Sequence, residues 1–116
     1  MNEKERQAKR NSIRRLLRHQ SGIHVNCIRI NTNNTRAHEL AKFELAWHLR
    51  EMRHSFVCEG EFENPWKSRA DVIDLDDGVV YEIVVSESEE SIVKKQGTYP
   101  LPVIVVRPGP VIDDDP

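Results

Sequence analysis

Apolar and polar positions divide the chain into helical and extended stretches in a definite order. Residues 2–20 (NEKERQAKRNSIRRLLRHQ) set Ile13, Leu16 and Leu17 on a narrow stripe among arginines, which predicts an amphipathic helix ended by Ser21-Gly22. Ile23–Ile30 alternates apolar with polar and predicts an edge strand, and the Asx and Thr run Asn31–Thr35 predicts a turn. Thr35 is placed to cap a helix reaching about Met52. Projected at about 100° per residue, that helix gathers Leu40, Phe43 and Trp47 on one broad face, expected to be buried. Glu44 falls inside this apolar arc, while Lys42 and Arg50 point elsewhere and Glu39 is a solvated first-turn acid. Ser55–Phe62 predicts a strand.

The chain is organised around Arg69–Ser88 (RADVIDLDDGVVYEIVVSES). Two β-branched runs, Ala70–Leu75 and Val79–Val85, flank Asp76-Asp77-Gly78, a strong hairpin signal because glycine takes φ > 0 without a Cβ clash. A two-residue turn at Asp77-Gly78 pairs Asp76 with Val79 and puts Asp71 opposite Val84, with Glu82 diagonal on the same face. Two carboxylates held so close in an apolar sheet repel unless a proton or a cation lies between them. Beyond the hairpin, Ser86 and Glu89 have capping-box spacing for a helix over about Glu87–Gln96, closed by Gly97. Val103–Val106 then predicts a strand joined to the hairpin by a crossover, and Gly109–Pro116 an acidic, frayed tail. The order helix, three mostly antiparallel strands, helix, strand predicts an α/β sandwich.

At 116 residues the chain suits one domain, read as a basic N-terminal arm (1–34), an α/β core (35–108) and the tail (109–116). Residues 1–35 hold eight Lys or Arg against Glu3 and Glu5, a net of +6; the remainder holds nine against seventeen acids, a net of −8. A basic arm on an acidic body fits a nucleic-acid contact through Arg10, Arg14, Arg15 and Arg18, joined by the loop residue Lys67. It equally fits a helix that packs on the body. Cys27 and Cys58 lack zinc-ligand spacing and read as free thiols of a reducing compartment. Nothing is long and apolar enough to span a membrane and the start is too charged for a secretory signal, so an intracellular, soluble protein is expected.

Glu44, Asp71 and Glu82 are candidates to converge at a strand edge. Three such acids make an oxygen-ligand site for Mg²⁺ or Mn²⁺, cations that assist phosphodiester hydrolysis. Asp71 and Glu82 are expected on the same face with Glu44 directed at them. Asp71 paired across from Ile83, or a Glu44 facing solvent, would sink the metal-site reading. Trp66, in the loop before Asp71, is open as a base-stacking or partner contact, whereas Trp47 is expected in the core.

Residues from about 36 to 106 resemble the core of the PD-(D/E)XK nuclease superfamily, particularly small archaeal Holliday-junction-resolvase-type and archaeal-virus nucleases. The resemblance rests on Glu44, on Asp71 in Arg69-Ala70-Asp71-Val72-Ile73, and on Glu82 in Tyr81-Glu82-Ile83-Val84. It implies a restriction-endonuclease-like αβββαβ core with a mixed sheet flanked by helices. It also implies Asp71 and Glu82 as metal ligands, with the carbonyl of Ile83 as a further candidate. Glu44 matches the family's helix glutamate, which implies a third catalytic and metal-binding acid. The resemblance further implies Mg²⁺ or Mn²⁺ as cofactor and DNA as partner. A homodimer is compatible with it, and the host cytoplasm would be the location of a viral member. The chain departs from the family at Val84, where the family has a lysine. Three functions therefore stay open: a metal-dependent DNA endonuclease, an inactive nuclease fold that binds DNA, and an assembly protein. Lys67, Lys94 and Lys95 are the candidates to replace the missing lysine.

Overall fold

The computed structural model describes residues 1–18, 24–85 and 89–108. It is a mixed α/β fold, with three helices and one four-stranded mixed sheet among the described residues. Helix α1 (Glu3–Arg14) starts at Asn2, whose side chain accepts the Glu5 amide. Helix α2 (Arg36–Glu51) starts at the predicted cap, where the Thr35 hydroxyl accepts the His38 amide. Strands β1 (Phe56–Glu61), β2 (Arg69–Asp74) and β3 (Val79–Ile83) follow, then α3 (Glu89–Gln96) and β4 (Val103–Val106). The sheet order is β1-β2-β3-β4, antiparallel except for the parallel β3–β4 pair. The Ser86 cap, Ile23 and the tail from Gly109 lie outside the described residues.

Each face of the sheet carries its own core. On one face Ala46 and Leu49 of α2 pack on Phe56, Cys58 and Val72. On the other, Ile13 and Leu17 pack with Val57, Phe62, Ala70, Ile73 and Val80. The segment expected as an arm is thus docked on the sheet. Arg10 reinforces the docking with two 3.0 Å hydrogen bonds to Asp76, a fork-to-fork pair. The predicted strand over residues 23–30 reduces, among the described residues, to one bridge between Val25 and Val57; Leu17 makes a second bridge to Phe62. These two bridges lie on the outer edge of β1. Among the described residues no helix is long and apolar enough to cross a membrane.

Two expectations about packing are corrected. Leu40, Phe43 and Trp47 are 42–45% exposed, and the buried positions of α2 are Lys42, Ala46 and Leu49. The small Ala46 lets the helix lie close on the sheet, and Lys42 is buried because acids neutralise it. The hairpin register is also shifted. Asp74, not Asp76, pairs with Val79, leaving a loop Leu75–Gly78. Asp74 dictates that loop: its carboxylate accepts the amides of Asp76 and Asp77 at 2.8 and 3.0 Å, and its carbonyl accepts the Gly78 amide at 2.9 Å. Gly78 has φ 69° there, a conformation natural to glycine. A shift of two residues brings Asp71 level with Glu82 instead of Val84.

Candidate functional site

Three carboxylates occupy one row across three strands. The pairs Cys58–Val72 and Gly60–Ala70 bracket Glu59 and Asp71, and the β2–β3 register carries the row on to Glu82. Side chains should alternate along β1 and β2, yet Val57 and Gly60 face the same core, as do Ala70 and Ile73. The alternation slips at Glu59, which has φ 54°, and at Asp71 beside it. The slip turns both acids toward α2. Asp71 Oδ2 lies 3.3 Å from His38 Nε2, and Glu59 Oε2 lies 3.3 Å from Lys42 Nζ.

Helix α2 supplies the basic half of the cluster from its first turns. Lys42 is fully buried and donates to Glu39 Oε2 at 2.9 Å and to the Arg29 carbonyl at 3.1 Å, with Glu59 completing its set. Asn31 supports the other side of Glu59 with a 2.9 Å hydrogen bond. Burial raises the Glu39 carboxyl, but hydrogen bonds from Lys42, Asn34 and the Asn31 amide outweigh it and hold the group down at about 2. Burial likewise opposes the Lys42 charge, and Glu39 and Glu59 more than offset it, so its pKa is raised.

At the far end of the row the β2–β3 ladder parts. Its last pair is Val72–Tyr81, and the Asp71 carboxylate accepts the Ile83 amide at 2.8 Å in place of a backbone carbonyl. Glu82 reaches this opening from the opposite side of the sheet, where Tyr99 packs against the α1 core. The two side chains therefore converge without sharing a face. Burial and then the Asp71 charge push the Glu82 carboxyl up to about 7, and burial pushes Asp71 up as well. The Tyr99 hydroxyl contacts both Glu82 and the Arg69 carbonyl. The Tyr99 hydroxyl donates toward Glu82, which opposes the rise in its pKa in part.

The sequence-derived residues fall into distinct places. Asp71 and Glu82 come together. Glu44 is exposed, the outcome set to sink the metal-site expectation, so a metal site through Glu44, Asp71 and Glu82 does not form; Glu59 stands in the row instead. The error follows from the reversed face of α2. Arg10 is committed to Asp76, and Arg18 donates to Glu61 at 2.8 Å. Arg14 is half-buried with its Nε unpartnered, while Arg15 and Lys67 are exposed. Val84 is buried, 2% exposed. Sequence reasoning missed His38, Glu39, Lys42, Glu59 and Tyr99. The (i, i+3) pair Glu39–Lys42 was the available signal, since such a pair can neutralise itself on a buried face.

Comparison with known proteins finds no relative. No protein-family model, curated protein or solved structure matches this chain.

A second cluster sits at the hairpin loop, where His54 Nδ1 lies 2.9 Å from Asp74 and 3.9 Å from Asp77. These three residues could surround a metal ion, but Asp74 is already engaged in building the loop.

Proposed function

We propose that the protein is a metal-dependent DNA endonuclease, built on a restriction-endonuclease-like core, that hydrolyses phosphodiester bonds at the Asp71–Glu82 pair. The observation that carries this reading is the meeting of those two carboxylates where the β2–β3 ladder parts. The helix, three antiparallel strands, helix and parallel strand agree with that core. The donor set suits Mg²⁺ or Mn²⁺: Asp71 and Glu82 offer hard oxygens, with Glu59 next in the row. When bound, such an ion supplies Lewis-acid stabilisation of charge on a phosphoryl group. His38 orients Asp71, and Tyr99 orients Glu82. Lys42 supplies the fixed positive charge of the cluster, a part that Val84 cannot play. Arg15 and Lys67 are available to phosphates on the exterior.

The test is cleavage of branched and linear DNA with Mn²⁺ or Mg²⁺. Wild type is expected to cut, Asp71→Asn and Glu82→Gln to be inactive, and Glu44→Gln to cut as wild type does. Full activity in Asp71→Asn would sink the reading. A second reading, a catalytically inactive nuclease fold serving in DNA binding or assembly, is favoured by the burial of Val84 and by the saturated partners of Lys42. DNA binding without cleavage, and a melt unmoved by millimolar Mn²⁺, would select it.

A further inference from the structure

We propose that the outer face of α2 and the turn after it bind a single strand of DNA, with bases on Phe43 and Trp47 and phosphates on Arg50 and Arg53. This site is separate from the carboxylate row, which uses the opposite side of the helix. A cavity of about 450 Å³ opens here, lined by Phe43, Trp47, Arg50, Arg53 and His54 among others, and among the described residues no carboxylate lines it. That volume lies within the range of small-ligand clefts, and the charge suits a polyanion.

The aromatic pair is arranged for stacking. Phe43 and Trp47 are 44% and 45% exposed, with ring centroids 6.2 Å apart and planes 20° from parallel. The Arg50 guanidinium lies 4.6 Å from the Trp47 ring centroid and extends the column. Nucleobases join such columns whatever their sequence, because every base has a π-face.

Arg53 supplies an independent observation. The Arg53 amide donates to Arg50 and the His54 amide to Leu49, both at 2.9 Å, so α2 closes with Arg53 in the position usually held by glycine. Its φ is 62°, which costs a side chain free energy that glycine would not lose. An arginine there at that cost, beside a cavity that no described carboxylate lines, marks the side chain as the useful part.

The choice of DNA over RNA rests on the hydrolytic reading above; the stacking chemistry does not. The test uses the full chain in EDTA at low salt, with fluorescein-labelled dT12, the same length of duplex, and rU12, read by anisotropy. Wild type is expected to prefer dT12 to both. Trp47→Ala should weaken dT12 binding about ten-fold or more. Arg53→Gly should weaken it several-fold and lower its salt dependence, while its melting temperature holds or rises because glycine accepts this φ. That opposition separates binding from structure even if Trp47→Ala fails to fold. Unchanged affinity in Arg53→Gly, no binding by wild type, or a preference for rU12 or duplex would each overturn the proposal. So would sedimentation showing a dimer that Trp47→Ala dissolves, since the face would then be an interface between copies. Binding of dT12 without Mn²⁺-dependent cleavage counts against the hydrolytic reading alone.

Discussion

Lys42 is buried completely yet remains charged, because two carboxylates and a carbonyl surround its ammonium. Removing it would leave Glu39 and Glu59 facing each other without a counter-ion. Lys42→Met is expected to cost roughly 3–5 kcal/mol in denaturant unfolding, against about 0.5 kcal/mol or less for the exposed Glu44→Gln. The titration of the cluster sets a second expectation. Glu82, raised to about 7 from an ordinary 4.5, binds its proton more tightly in the folded state. Its contribution is complete below about 4.5 and lost as pH rises to about 7. Glu39, held at about 2, contributes above its ordinary 4.5 and loses that contribution as pH falls. Thermal melts across pH should therefore peak near about pH 5, not at neutrality. Glu82→Gln should flatten the alkaline side of that curve and raise the melting temperature at pH 7.

Elements were legible in the sequence wherever a cap or a β-branched run marked them. Thr35 starts α2 as predicted, and β4 has the predicted bounds. What escaped were features decided by contacts across the fold. The face of α2 depends on a lysine neutralised by Glu59, seventeen residues on in sequence, and no helical projection contains that partner. The hairpin register turned on Asp74, whose carboxylate captures the two amides that a tighter turn would have used otherwise. The slip at Glu59 and Asp71 also leaves no mark in an alternation pattern. It does leave Gly60, where a Cβ would stand 2.8 Å from Ile73 Cδ1 and 3.2 Å from Val57 Cγ1. Gly60→Ala is expected to destabilise by about 1–3 kcal/mol through this overpacking, measured by chemical denaturation.

For the molecule as a whole, the consequential point is the place of α1, where the structure selects the helix that packs on the body over the free arm. Charge asymmetry marked the N-terminal residues as a possible arm, but charge is silent about the few apolar side chains that dock them. Ile13 and Leu17 are 4% and 0% exposed, in the same core as Val57, Ile73 and Val80. A chain lacking residues 1–18 is therefore expected to lose cooperative unfolding and to bind hydrophobic dyes, since its removal uncovers one face of the sheet. Ile13→Ala should cost about 2–5 kcal/mol. A truncated chain that melted as wild type does would show α1 to be dispensable.

The docking of α1 also orders events in time. Arg10 waits for Asp76, sixty-six residues later, and Ile13 waits for strands that end at Ile83. Helix α1 thus cannot be secured until the strands that follow it, through β3, have been synthesised. Until then α1, twelve residues long and too brief to be stable alone, lacks the core that holds it. Closure over so long a loop favours slow folding, and the partners of α1 should acquire hydrogen-exchange protection before α1 does.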